Sequence, residues 1–377
     1  MKWEKKKLCE CTEYITDGDH QPAPKADKGV HFIKIKDIVN NQVSFDAQVY
    51  VPQEYYDNLP MERKPQKEDV LYTVVGSFGI PSYVQTDELF CFERNIALLH
   101  PNKDIEPRFL YYSLKNPAFY KGVEIVANGS AQKLIPLSKL KDLKISVPDK
   151  EAQRHIADIL SAYDDLIENN QRQIKLLEEA AQRLYKEWFV DLRFPGHENT
   201  KIVDGVPEGW SRGLLKELIS VNYGKDHKKA PDDGNIPVYG SGGLMRKCNK
   251  SLFSGEAVLI PRKGSLNNIM YVDETFWTVD TMFYATMKQP HTAVFVYFFV
   301  KAFDMYSMNI GAAVPSMTTK ILDAMDVVIP DKETLEKFDK CAKTYFNKIK
   351  TLQGQNERLK TARNLLLPKL MNGKVEV

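Results

Sequence analysis

The chain has 377 residues, and its 52 Lys and Arg nearly balance its 50 Asp and Glu, for a formal net charge of +2. So small a net charge neither requires nor excludes a nucleic-acid partner. Five of the first seven residues are charged, no apolar run approaches 18 residues, and five scattered cysteines lack zinc-site spacing. We therefore expect a cytoplasmic protein of two or three domains that is neither secreted nor associated with a membrane.

Residues 1–147 are predicted to form a first α+β domain. Alternating or β-branched segments indicate strands at 30–38, 70–75, 93–99 and 143–147. The aromatic segment 108–114 is typical of a helix. Several glycine-centred loops separate these elements.

Residues 148–190 are predicted to form a long helix, because apolar residues recur at alternating steps of three and four. About 40 residues rise about 60 Å at 1.5 Å per residue, which suits a spacer better than a core helix. One asparagine interrupts the apolar stripe and is expected to fix its register. The predicted seam of this helix comprises Leu160, Ile167, Asn170, Ile174, Leu177, Leu184 and Trp188.

A Pro- and Gly-rich connector at 191–209 leads to a second domain at 210–329 that repeats the first. Trp3 matches Trp210, and the pair Asp19 and His20 matches Asp226 and His227, both 207 residues later. The offset then falls to 188, which places extra sequence in the first domain between about residues 37 and 66. The chain is therefore predicted to be an internal duplication.

Residues 330–377 repeat the long helix, since residues 148–151 and 330–333 both read Pro-Asp-Lys-Glu. The break in this second helix is expected at Gly354 or Pro368. The two asparagines of the seams are expected to lie in different layers. The predicted seam of the second helix comprises Ile349, Leu352, Asn356, Leu359, Leu366 and Leu370.

The two helices are expected to pair with each other as an antiparallel coiled coil. Residues 149–190 have a net charge of −3 and residues 331–377 a net charge of +5, which favours pairing. The alternative is two surface helices, each packed on its own domain.

Motifs for covalent chemistry are scarce. Residues 240–243 (GSGG) lack the strand, loop and helix of a phosphate-binding motif, and residues 116–119 (NPAF) lack the second proline of the N-P-P-[YF] methyltransferase loop. The seven histidines show no metal-ligand spacing. We expect no catalytic residues, no bound metal and no cofactor in this chain.

Cationic residues beside hydrogen-bonding and aromatic residues recur in the predicted loops of both domains. Lys and Arg can hold phosphates, and Arg, Lys, Asn and Gln can also read base edges. Each cluster alone is equally typical of a solvated loop, but its repetition in two domains favours two DNA-recognition surfaces. The candidate DNA-binding residues are His20, Lys25, Lys34, Lys36, Ser77, Phe78, Gln132, Lys133, Lys225, His227, Lys228, Tyr239, Ser241, Arg246, Lys247, Arg262, Lys263 and Ser265.

The order of two domains and two helices resembles the DNA specificity subunit of type I restriction-modification systems. The segments that carry the resemblance are 185–198 (YKEWFVDLRFPGHE), 206–210 (VPEGW), 236–240 (IPVYG) and 365–373 (LLLPKLMNG). The resemblance covers essentially the whole chain. It implies that each domain is a target recognition domain that reads one half of a split double-stranded DNA site.

The same resemblance implies partners. The helices would set the spacing between the half-sites and hold two methyltransferase subunits, which bind S-adenosylmethionine and methylate adenine at N6, while a separate translocase-nuclease subunit cuts. Two other classes stay open: a stand-alone methyltransferase, which would need a cofactor loop, and a coiled-coil scaffold, which would leave the cationic loops unexplained.

Overall fold

A computed structural model describes residues 2–129, 133–308 and 316–375. These residues form two compact units. The first unit contains residues 1–170 and 354–377, and the second contains residues 171–353. Each unit therefore combines one globular domain with segments of both long helices.

The first domain is α+β, as the sequence predicts. Its strands are β1 (Glu4–Lys7), β2 (Thr12–Asp17), β3 (Val30–Ile33), β4 (Ile38–Val39), β5 (Gln42–Val43), β6 (Tyr50–Val51), β7 (Val70–Thr73), β8 (Pro81–Tyr83), β9 (Phe90–Phe92), β10 (Ile96–Pro101) and β11 (Lys144–Val147). Its helices are α1 (Leu8–Cys11), α2 (Gln53–Asp57), α3 (Pro107–Lys115), α4 (Pro117–Val126) and α5 (Leu137–Asp142).

A four-stranded antiparallel sheet in the order β2, β10, β7, β8 forms the centre of this domain. The aromatic helix α3 covers it, and Phe109 and Tyr112 of α3 are buried in the same core as Tyr72 of β7. Strand β3 pairs in parallel with β9 and antiparallel with β6. The first and last strands, β1 and β11, pair with each other and close the domain.

The predicted strand at 30–38 is wrong in its second half. Strand β3 ends at Ile33, and a 3-10 turn follows at Ile35–Asp37. The Asp37 carboxylate accepts a hydrogen bond from the Lys34 amide at 2.9 Å, and this local bond competes with strand pairing.

The first long helix, α6, is regular over Lys150–Tyr185 and continues as a π-helical turn at Lys186–Val190. The second, α9, spans Lys332–Leu370 without interruption. All thirteen predicted seam residues are buried or partly buried.

The helices run antiparallel, as predicted. In the first unit Asp164 binds Arg363, while Asn170 lies beside Asn356, so the residue number rises along one helix as it falls along the other. The expectation that the two asparagines occupy different layers is wrong. Asn170 Nδ2 donates a hydrogen bond of 2.8 Å to Asn356 Oδ1, and both side chains are buried. Antiparallel pairing brings these two positions together, so the buried Asn170 amide group donates to the buried Asn356 oxygen.

The expected break in the second helix is also wrong. Gly354 remains helical because the neighbouring seam residues Leu352 and Asn356 are buried, and this packing outweighs a propensity cost of about 1 kcal/mol. Pro368 lies only two residues before the helix ends, where buried Leu367 and Leu370 anchor the last turn. The irregularity lies instead in the first helix, at its π-helical turn.

The second domain begins after a short hairpin of the connector, β12 (Ile202–Val203) and β13 (Val206–Pro207). Its strands are β14 (Ser211–Leu214), β15 (Ile219–Tyr223), β16 (Ile236–Gly240), β17 (Gly243–Cys248), β18 (Phe253–Pro261), β19 (Met270–Thr278), β20 (Met282–Met287) and β21 (Asp326–Ile329). Its helices are α7 (Ala293–Lys301) and α8 (Thr319–Asp323).

This domain repeats the frame of the first. The strand order β15, β20, β18, β19 corresponds to β2, β10, β7, β8, and β14 pairs with β21 as β1 pairs with β11. The buried aromatic helix α7 corresponds to α3. The first domain has extra elements at 38–63, namely the β4–β5 hairpin, α2 and a 3-10 turn, where the sequence predicts an insertion.

Candidate nucleic-acid interface

In the first domain, His20, Lys25 and Lys34 line one open cleft of about 430 Å³. The cleft lies beside the parallel pair β3 and β9, and the turn after β9 adds Arg94 to the same lining. Lys25 and Arg94 are exposed. The structure thus brings together three of the predicted residues and one arginine that the sequence reasoning missed.

The carboxylates of this cleft are already bound. Asp19 accepts hydrogen bonds from the Tyr55 hydroxyl at 3.1 Å and from Arg63 at 3.4 Å. Burial acts to raise the pKa of Asp19, but the hydrogen bonds from Gln21 and Tyr55 and the charge of Arg63 lower it overall. Glu93 accepts a bond of 2.7 Å from the Ile35 amide. Among the described residues, no hydrogen bond or ion pair joins these acids to Lys25, Lys34 or Arg94, so the three cations can face an anionic ligand.

Lys36 is exposed on the 3-10 turn and does not line the cleft. A separate group forms around Phe78, whose ring stacks on Tyr120 with centroids 5.8 Å apart. Lys133 Nζ lies 5.3 Å from the Phe78 ring centroid and 3.8 Å from Glu124. Ser77 is exposed next to this pair. Gln132, also predicted, lies outside the described residues.

In the second domain, Lys225, His227 and Lys228 lie on the loop that follows β15. Asp226 caps a 3-10 turn at His227–Lys229 by accepting from the Lys228 amide at 3.0 Å. The turn presents Lys225 and Lys228 to solvent and leaves His227 partly buried.

Arg246 binds the backbone of this loop. Its guanidinium forms an ion pair with Asp232 and donates to the carbonyl oxygens of His227 and Ala230, the latter at 2.7 Å. With these bonds made, Arg246 stabilises the loop, and its predicted contact with DNA stays a prediction. Tyr239 is similarly engaged, because its hydroxyl donates to Glu274 at 2.5 Å. Burial first, and then this bond, raise the pKa of Tyr239.

Arg262 and Lys263 lie at the turn between β19 and β20, where both of their amides donate to the Thr281 carbonyl. Arg262 stacks over Tyr223 with its guanidinium carbon 5.5 Å from the ring centroid, and it donates to the Asp280 carbonyl at 3.3 Å. The carbonyl of Ser241 accepts from Asn268 at 2.8 Å. Lys247, Lys263 and Ser265 are exposed.

Residues 2–129, 133–308 and 316–375 contain neither a membrane-spanning helix nor a cluster of metal ligands. None of their helices combines the length and apolar content that crossing a bilayer requires. No group of three or more His, Cys, Asp or Glu side chains there is arranged to hold a metal ion.

The two domains share one frame, and each carries exposed lysines on the loop that follows an equivalent strand, β2 in the first domain and β15 in the second. The sequence matches the family model of the type I restriction modification DNA specificity domain twice, over residues 1–179 and 207–361. Since these matches cover well over half of the chain, the protein belongs to the family of type I restriction-modification specificity subunits.

Individual relatives agree with this assignment. The chain is 26% identical over 325 residues to the type I restriction enzyme MjaIX specificity subunit of Methanocaldococcus jannaschii, covering 75% of this chain and 72% of that one. It is 24% identical over 449 residues to the HindI specificity subunit of Haemophilus influenzae, covering 92% and 94%. The crystal structure of an S subunit from M. genitalium has the same fold, with a TM-score of 0.64, 19% identity and coverage of 98% and 96%.

Proposed function

We propose that each domain of this specificity subunit reads one half of a split double-stranded DNA target. The observation that carries the proposal is that two equivalent frames present different loop chemistry. The first domain offers a cleft with Lys25, Lys34 and Arg94, whereas the second offers the exposed lysines of the β15 loop, and its Arg246 and Arg262 contact other residues of the domain. Two domains with the same frame but different loop residues suit two different half-sites.

In this proposal the exposed lysines neutralise phosphates and set the position of each domain on the duplex, while a smaller number of side chains read base edges. Each wrong base pair in a half-site then costs roughly 1 to 3 kcal/mol. Binding by the assembled complex is expected to weaken steeply as salt rises, because phosphate contacts release counterions. A coiled-coil scaffold without a DNA role would show no such dependence.

The paired helices α6 and α9 are proposed to set the spacing between the half-sites and to dock two methyltransferase subunits. Several large apolar side chains on their outer faces favour docking, because they gain by leaving water. Leu166, Leu176 and Leu365 are 51%, 63% and 61% exposed. S-adenosylmethionine is then bound by the methyltransferase subunits, and this chain performs no chemistry of its own. A translocase-nuclease subunit would be a further partner.

Methylome sequencing tests the proposal. Cells that express this chain with its neighbouring methyltransferase are compared with cells that express the methyltransferase alone. We expect N6-methyladenine in a split motif only when both proteins are present. If the two proteins co-purify and yet no new methylated motif appears, the modification role is contradicted.

A further inference from the structure

Arg94 lies at the tip of the turn that joins β9 to β10, and hydrogen bonds fix the backbone of this turn. The Ile96 amide donates to the Glu93 carbonyl at 3.1 Å, and the Val74 amide donates to the Asn95 carbonyl at 2.9 Å. The Glu93 side chain also binds the Ile35 amide. The backbone on both sides of Arg94 is therefore tied to two other segments of the domain.

The Arg94 side chain, by contrast, makes no hydrogen bond, ion pair or ring contact with any described residue, although it is exposed in the cleft. The other arginines of the two domains are all engaged within the protein: Arg63, Arg108, Arg212, Arg246 and Arg262. The Arg94 guanidinium therefore has five donors without an acceptor among the described residues, on a backbone whose position is fixed, so it can bind an external ligand.

The second domain has the same turn with a different tip. There the Met282 amide donates to Val279 at 3.0 Å and the Arg262 amide donates to Thr281 at 2.8 Å, which reproduces both backbone bonds. Asp280 occupies the position of Arg94 and is exposed. The duplicated frame thus keeps the backbone of this turn while its tip changes from a donor of hydrogen bonds to an acceptor.

We infer that the tip of this turn is a base-reading position, and that Arg94 binds the O6 and N7 atoms of a guanine in the half-site of the first domain. The inference rests on the proposed function and deepens it. Bidentate binding of guanine is the commonest specific contact of arginine in the major groove, and Lys25 and Lys34 in the same cleft are suited to the flanking phosphates. The acceptor Asp280 is suited instead to a base amino group, so the two half-sites should differ here.

The test uses the assembled complex of this chain with its methyltransferase and a library of duplexes randomised in both half-sites, from which bound DNA is sequenced. For the wild type we expect a strong guanine preference at one position. Arg94→Ala should weaken binding of the preferred site roughly 10- to 100-fold and lose the preference at that position alone. Arg94→Lys keeps the charge but loses the planar fork, so it should recover part of the affinity and little of the guanine preference.

Two matched variants separate base reading from charge. Lys25→Ala in the same cleft should weaken all sequences evenly and reduce the salt dependence. Lys103→Ala removes one exposed charge beyond the far end of β10 and should alter neither affinity nor base preference. An Arg94→Ala complex that retains every base preference of the wild type, or that weakens all sequences evenly, overturns the inference while leaving the proposed function intact. A wild-type complex that selects no split motif overturns both.

Discussion

Asp164 in the first unit and Phe346 in the second occupy equivalent positions on the two long helices, 182 residues apart. Asp164 joins its helix to the domain through charged contacts and Phe346 through aromatic packing, and we call each of these contacts a joint. Asp164 accepts from the Tyr112 hydroxyl at 2.8 Å, lies 3.4 Å from Lys115 Nζ and pairs with Arg363. Phe346 packs its ring against Tyr271, Tyr297 and Phe298, with centroids 4.8 to 6.1 Å apart.

The surroundings of the two residues are otherwise alike. In both domains a lysine donates to a tyrosine one turn earlier and lies over its ring. Lys115 binds Tyr111 at 2.8 Å, and Lys301 binds Tyr297 at 2.7 Å. In the second unit the ion pairs lie at another position on the helix, where Lys343 bridges Asp339 and Glu256. Duplication has kept the frame and the lysine-tyrosine pair while the chemistry of the joint diverged.

Removing Asp164 should have the largest effect on stability. Asp164→Ala leaves Lys115 and Arg363, each only 13% exposed, without their shared counter-ion. The free energy of unfolding of the first unit should fall by about 3 to 5 kcal/mol, measured by chemical denaturation. Asp165→Ala is the matched control, since Asp165 is 52% exposed and binds Arg108 at the surface, and it should cost less than about 1 kcal/mol. Equal losses in the two variants would contradict a buried charged joint.

Truncating Phe346 should destabilise the second unit by a smaller amount. Phe346→Ala removes contacts with three aromatic rings, but the side chain is only partly buried. The expected loss is about 2 to 3 kcal/mol, below the range for a fully buried phenylalanine. Phe346→Leu, which keeps most of the apolar volume, should recover more than half of that loss. Failure of leucine to restore stability would mean that the joint depends on aromatic geometry beyond simple burial.

The charged joint should also respond to pH. Burial, partly offset by the Asp164 charge and reinforced by Arg363, lowers the pKa of Lys115 from 10.5 to about 8. Between about pH 8 and pH 10 the folded protein has released a proton that the unfolded chain still binds, so this group makes stability rise with pH. Relative to Lys115→Met, the wild type should gain up to about 1.4 kcal/mol per pH unit in that window. A stability difference that stays constant from pH 7 to pH 10 would show that Lys115 keeps its proton.

The features that the sequence predicts well are those that depend on periodicity. Burial of one side of a long helix requires apolar residues at steps of three and four. The seam from Leu160 to Trp188 and its repeat can therefore be predicted from the sequence. The duplication can be predicted for a similar reason, because glycines and aromatic residues at equivalent positions of the two domains form the same turns and the same core.

The features that it predicts poorly depend on contacts between distant residues. The meeting of Asn170 with Asn356 requires the alignment of two helices, and the helical state of Gly354 depends on packing across the seam. Arg246 and Arg94 illustrate the same limit at the candidate interface. The composition of a loop cannot show that one arginine is bound by carbonyls while another has no acceptor among the residues that the structure describes. Comparison of the two turns that carry Arg94 and Asp280, which are 186 residues apart, is the signal that finds this position.

We propose that the helix pair sets the spacing between the two half-sites, and a matched deletion tests this proposal most directly. Residues 171–177 and 349–355, the heptads next to the Asn170 and Asn356 pair, are removed together, and the methylated motif is sequenced in cells. Each helix shortens by about 10.5 Å. We expect the same two half-sites with a spacer shorter by about 3 base pairs, at about 3.4 Å per pair. An unchanged spacer in an assembled and active complex would contradict the proposed role of the helices.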